Sequence, residues 1–222
     1  GIPFSGKVEE IKPADKVVAE ISSFQLETIV DFRPHISLIL NISPDHLNRH
    51  KTMDNYIAAK SRIFENQGSE DYLILSGDDD TLSKVKPGGP VRVFYFSRTK
   101  SLTEGAWVED GRICMNLGAG AITVCKTDQF GIPGAHNLEN ALAAALAAGL
   151  SGVTPEIIAR VLKEFPGVEH RIEKVDTING ITFYNDSKGT NPASSIKAIQ
   201  AVPGPIVLIA GGMDKKTGFS DF

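Results

Sequence analysis

Two apolar runs, each ending in a side chain able to bind metal or handle a proton, constrain this chain more than any other feature. Within residues 16–46 the run Val17-Val18-Ala19 leads to Glu20, a short helix pattern follows, and a second run over 36–42 leads to Asp45 and His46. Short continuous apolar runs predict strands buried on both faces, as in parallel sheets covered by helices. In open α/β sheets ligands bind outside the carboxyl ends of the strands. A carboxylate and an imidazole at neighbouring strand ends therefore predict an enzyme's site, although a helix-capping Glu20 and a surface His46 would explain either residue alone.

The alternation continues. A helix is predicted over 53–66, a strand over 72–75, a helix over 78–85 and a strand over 91–96. Three short antiparallel strands follow over 106–108, 112–116 and 122–126, with turn signals at Asp110-Gly111 and Gly118-Ala-Gly120. Residues 137–150 make an Ala-rich helix with no polar residue after Asn140, which must be largely buried. Thr154-Pro155-Glu156 supplies a cap, a first-turn proline and an acid to the next helix, ended by Pro166-Gly167. The pattern then restarts with strands over 172–178 and 181–184 about an Asn179-Gly180 turn, a helix over 192–202 and a strand over 206–210. The expected fold class is α/β: a mostly parallel central sheet flanked by helices with a small antiparallel subsheet over residues 1–167, then a truncated Rossmann-like second domain over 168–222. The opening residues carry no element of their own, as expected of a fragment.

Composition narrows the function. A formal net charge of -4, with no basic arm or patch, argues against nucleic acid as a partner. No apolar run reaches membrane-spanning length and no signal segment opens the chain, so a cytoplasmic protein is expected. Cys114 and Cys125 have no His or Cys at metal-binding spacing and are expected as reduced thiols. The run Asp78-Asp79-Asp80 is expected to be a solvated helix start.

Gly1, Gly6 and Lys7 fit the first part of a phosphate loop, but Val8 stands where a hydroxyl is needed and Pro3 removes a backbone donor. If the protein uses ATP, its phosphate loop is expected upstream of residue 1. Glu20, His46 and Lys60 are a more serious set, because they sit in three specific strings. These are Glu20-Ile-Ser-Ser-Phe-Gln-Leu-Glu27, Asn41-Ile-Ser-Pro-Asp-His46 and Ala58-Ala-Lys-Ser-Arg-Ile-Phe64. In this order they resemble the central domain of the Mur ligases, ATP-dependent amino-acid ligases of peptidoglycan synthesis. Further matches follow in Gly134-Ala-His-Asn-Leu-Glu-Asn140, Glu169-His-Arg171, Asn185-Asp-Ser-Lys-Gly-Thr-Asn191 and Gly211-Gly212.

The resemblance implies ligation of D-glutamate to UDP-N-acetylmuramoyl-L-alanine through an acyl phosphate, by a monomer using ATP and two magnesium ions. It implies that Glu20 and His46 hold magnesium with Ser22 close by, and that Lys60 is carbamylated to give a further anionic ligand. Asn137 and Asn140 would contact the nucleotide base, Arg171 would reach back to the nucleotide, and Asp186 would contact the ribose or phosphates. Lys188 and Thr190 would fix the incoming amino acid and steady the transferring charge, and Lys215 or its neighbour Lys216 would bind the side-chain carboxylate of D-glutamate. His136 is expected to be structural. Residues 165–171 are the expected hinge, and the fragment alone is expected to be inactive. A sister ligase adding another amino acid, a non-catalytic nucleotide or cell-wall-precursor binding module, and a metal-dependent hydrolase are the alternatives.

Overall fold

The computed structural model describes residues 3–130, 132, 134–190 and 192–212. Its main sheet has six strands in sequence order: β1 (Ile36–Ile39), β2 (Tyr72–Ser76), β3 (Arg92–Ser97), β4 (Gly105–Glu109), β5 (Arg112–Asn116) and β6 (Ile122–Lys126). The first four are mutually parallel and the last three antiparallel, so the antiparallel portion continues the parallel sheet. β2 shows why the parallel half is a core element. Its side chains alternate between faces, and Leu73, Ile74 and Leu75 are all fully buried. Ile74 joins Phe94, Phe96, Ala106 and Met115 beneath helix α4 (Ala135–Leu150), which contributes Leu142 and Leu146. Leu73 and Leu75 pack with Ile39, Leu82 and Val91 on the opposite face.

Three short helices pack together, α1 (Ser23–Leu26) and α2 (Leu47–His50) each against α3 (Met53–Ser61). Helix α5 (Pro155–Glu164) follows α4 with Thr154 at its N-cap and the proline in its first turn, as its sequence predicts. The hairpin of β7 (Glu173–Ile178) and β8 (Ile181–Asn185) turns at Asn179 and Gly180, both at positive φ (52° and 81°), and α6 (Pro192–Ala201) comes after it.

Three expected elements are absent. Residues 16–22 and 206–210 form no strand, and their valines and the isoleucines and leucine of 206–210 are exposed, Val18 at 98% and Ile209 at 95%. A strand needs a partner, and among the described residues neither segment has one. The helix expected over 78–85 contracts to a single 3-10 turn, Leu82–Lys84. The aspartates expected to be solvated explain the loss. Asp78 accepts hydrogen bonds from the hydroxyls of Ser97 and Thr99 and from the Arg98 N–H, each at 2.6 Å. Asp79 accepts the N–H groups of Thr81 and Leu82, and that of Ile42 beyond β1, at 2.9 Å each. Carboxylates that satisfy local and distant backbone donors compete with a continuous helix. Only Asp80 remains exposed.

Candidate active site

Ser22 opens α1 through a reciprocal capping box: its hydroxyl accepts the Gln25 N–H at 3.3 Å, and the Gln25 carboxamide oxygen accepts the Ser22 N–H at 2.9 Å. The cap fixes the exit of the segment carrying Glu20. After β1 the chain reaches Asp45, whose carboxylate accepts the His46 N–H at 2.8 Å, and His46 takes the left-handed conformation (φ 54°) just ahead of α2. That conformation is uncommon for a side-chain-bearing residue. The imidazole lies against Phe24, with ring centroids 4.8 Å apart.

Lys60 rises from α3 one turn beyond Tyr56, its amine 5.3 Å from the phenol ring centroid. Burial pushes that amine below its ordinary value, while the charges of Asp45 and Glu20 act in the other direction. Burial and Asp45 likewise push the Tyr56 phenol up. Glu20, Asp45 and Lys60 therefore share one electrostatic neighbourhood, with His46 beside Asp45. Among the described residues no three His, Cys, Asp or Glu side chains converge as a metal-binding group.

A second cluster lies at the carboxyl edge of the parallel strands. A cavity of about 270 Å³ is lined by Leu40, Asn41 and Ser43 after β1, by Phe96 of β3, and by the first turns of α4. It is completed by Arg171 and Ile172 before β7, Asp186, Lys188 and Gly189 after β8, and α6. The two flanking loops are joined: the Ile172 N–H donates to the Asp186 carboxylate and the Lys188 N–H to the His170 carbonyl, each at 3.0 Å. Ile172 pays for this position with a left-handed backbone (φ 48°), costly for a β-branched residue.

Residues 3–148 match the family described as the Mur ligase middle domain, roughly two thirds of the chain. The chain belongs to the Mur ligase family. A UDP-N-acetylmuramoylalanine–D-glutamate ligase of Thermoanaerobacter pseudethanolicus is 54% identical over 222 residues, covering 100% of this chain and 49% of that protein. The chain thus spans about half the length of the curated relatives it matches. Among solved structures, MurF from Acinetobacter baumannii aligns with a TM-score of 0.61 at 23% identity, over 76% of this chain and 37% of that one. A MurF ligase from Thermotoga maritima, solved in complex with ADP, aligns at 0.56 and 19% identity, over 78% and 40%. At such identities the likeness concerns the fold.

In this Mur ligase chain the residues expected from sequence separate into four groups. Asn140, Arg171, Asp186 and Lys188 meet at the cavity. Lys60 feels the charges of Asp45 and Glu20, His46 lies beside Asp45, and Ser22 is held as a cap. Asn137 and Thr190 are near the cavity in sequence but do not line it, and Gly134, not Asn137, occupies the α4 N-cap. Lys215 and Lys216 lie outside the described residues. His136, expected to be structural, lines the cavity. Burial, then the charge of Lys197, pushes its imidazole below the ordinary value; Arg171 adds to this, and Glu139 and Asp186 oppose it. Sequence reasoning missed Asn41, Ser43, Glu139, Ser194 and Lys197. Ser194 and Lys197 stand at i, i+3 on one face of α6, a spacing that becomes informative only once that face is seen to line the cavity.

Proposed function

We propose that this Mur ligase chain supplies the nucleotide-binding core of an ATP-dependent ligase that joins D-glutamate to UDP-N-acetylmuramoyl-L-alanine in peptidoglycan synthesis. One observation carries the reading. Asn140, Arg171, Asp186 and Lys188, from three separate segments, converge on a single cavity at the carboxyl edge of the sheet, in a chain whose 54% identical relative bears that name.

The chemistry asks for two steps. The substrate carboxylate attacks the γ-phosphorus of ATP, releasing ADP and leaving an acyl phosphate. The deprotonated amine of D-glutamate then attacks the acyl carbon and expels phosphate as the amide forms. Anions must approach one another in both steps, and Arg171 and Lys188 offset their repulsion by facing the cavity. Asn140 would orient the base, and Asp186 the ribose or phosphates.

Magnesium fits the other cluster by donor chemistry. Glu20 offers a hard carboxylate oxygen, His46 an imidazole nitrogen, and Lys60 an amine whose burial favours the neutral form that adds carbon dioxide. Carbamylated Lys60 would hold a second ion. Bound there, magnesium would neutralise phosphate charge. Thr190 and Lys215 are assigned to the amino acid, and residues 168–222 to the start of the amino-acid-binding domain. The enzyme is read as a cytoplasmic monomer.

The test follows phosphate release from ATP by the full-length ligase, given UDP-N-acetylmuramoyl-L-alanine and a panel of amino acids. Release with D-glutamate alone, abolished in Lys188→Ala, supports the reading. Release with a different amino acid makes it a sister ligase, and nucleotide binding without release makes it a binding module.

A further inference from the structure

One cation at the cavity has no part in the reaction described above. Lys197 stands on α6, one turn beyond Ser194, and both line the cavity with Arg171 and Lys188. Charge there is unbalanced. Three cations face two carboxylates, Glu139 and Asp186, and both carboxylates are engaged elsewhere. Glu139 accepts from Arg98 Nε at 3.3 Å, and Asp186 accepts from the Ile172 N–H at 3.0 Å. Among the described residues no carboxylate lies within ion-pair distance of Arg171, Lys188 or Lys197. His136 of α4 lines the same cavity, and the positive charge of Lys197 helps hold its imidazole below the ordinary value.

Like charges gathered around a concave space repel one another until an anion neutralises them. A multivalent anion matches this set best, because with Glu139 paired to Arg98 the three cations outnumber Asp186 by two. A single carboxylate would match one of the three cations, whereas the phosphate chain of a nucleotide matches the set. We propose that Lys197 is a further nucleotide-binding residue, the third cation of a site that holds the phosphate chain across α4, the β8 exit and α6. The inference rests on the ligase reading and adds to it a contact from α6. Being on a helix, Lys197 is held more firmly than a loop lysine would be.

The experiment compares ADP with adenosine by titration calorimetry on the full-length ligase at fixed magnesium. Lys197→Ala is expected to weaken ADP about tenfold and adenosine less than about twofold, as for loss of one charge-assisted contact. It should also flatten the salt dependence of ADP binding. Lys197→Arg should restore ADP affinity, and Lys174→Ala, on an exposed position of β7 away from the cavity, should change neither ligand. Equal losses for both ligands, or no loss for either, would overturn the assignment of Lys197 while leaving the ligase reading in place. A wild-type protein that binds neither ligand overturns both.

Discussion

The Nε2 of His50 lies 3.0 Å from the hydroxyl of Ser23, and its Nδ1 lies 3.5 Å from a carboxylate oxygen of Glu27. The ring is buried and stacks on Phe24, with centroids 5.6 Å apart. Helices α1 and α2 have four residues each, too short to hold themselves, so this contact sets their mutual position. His50→Leu, which leaves the buried Ser23 hydroxyl without its partner, is expected to cost about 2 kcal/mol. Urea unfolding should show a lower midpoint at unchanged slope, and a double-mutant cycle with Ser23→Ala should return a coupling of about 1 kcal/mol.

Gly105 begins β4 opposite Tyr95 at φ +126°, and a Cβ there would run into the Tyr95 carbonyl oxygen. The clashing atoms are backbone of β3, so turning the neighbouring Leu102 side chain aside would not relieve the overlap. Gly105→Ala should therefore destabilise by more than about 3 kcal/mol, or prevent folding, because it combines a forbidden conformation with a backbone clash. A soluble variant with an unchanged thermal midpoint would contradict this.

Asp71 gives the fold an acid sensitivity. Burial alone would raise its carboxyl, but the Gly68 N–H at 2.8 Å, Arg33 Nε at 2.6 Å and the His35 ring at 3.2 Å outweigh burial and hold it below its ordinary value. In the window between the folded value and the unfolded value of about 3.9, the unfolded chain binds more protons, so stability rises with pH. The contribution is complete above that window and lost as pH falls through the folded value. The stability difference between wild type and Asp71→Asn should shrink as pH is lowered from about 6 to about 3. A constant difference across that range would count against the network.

Asn140 offers its carboxamide to the cavity without contributing charge. If it orients the base, Asn140→Ala should weaken adenosine and ADP alike, each by about tenfold. Parallel loss is the signature to look for, since the substitution of a cation would separate the two ligands.

The elements legible from sequence are those whose signal is local. β2 declares itself by an apolar run, α4 by its alanines and the hairpin by Asn179-Gly180. The segments 16–22 and 206–210 carry the same apolar signal, yet a ladder depends on a second strand that composition does not report. The helix expected at 78–85 failed because Asp78 bonds to Ser97, Arg98 and Thr99, and Asp79 to Ile42, partners some 20 and 37 residues away. At the site, motif residues such as Asn140 and Lys188 could be named from their strings. Lys197 could not, because a lysine on an exposed helix position looks the same whether it faces bulk water or a cavity.

The bonds from Ile172 to Asp186 and from Lys188 to His170 have a mechanical consequence. They clasp the strand that enters the hairpin to the loop that leaves it, on both sides of Arg171, so Arg171, Asp186 and Lys188 share one rigid frame. A rotation at the start of the expected hinge, residues 165–171, would advance or withdraw all three in step. If the frame holds nucleotide as proposed, capture has a single coordinate, and its contacts form together or not at all.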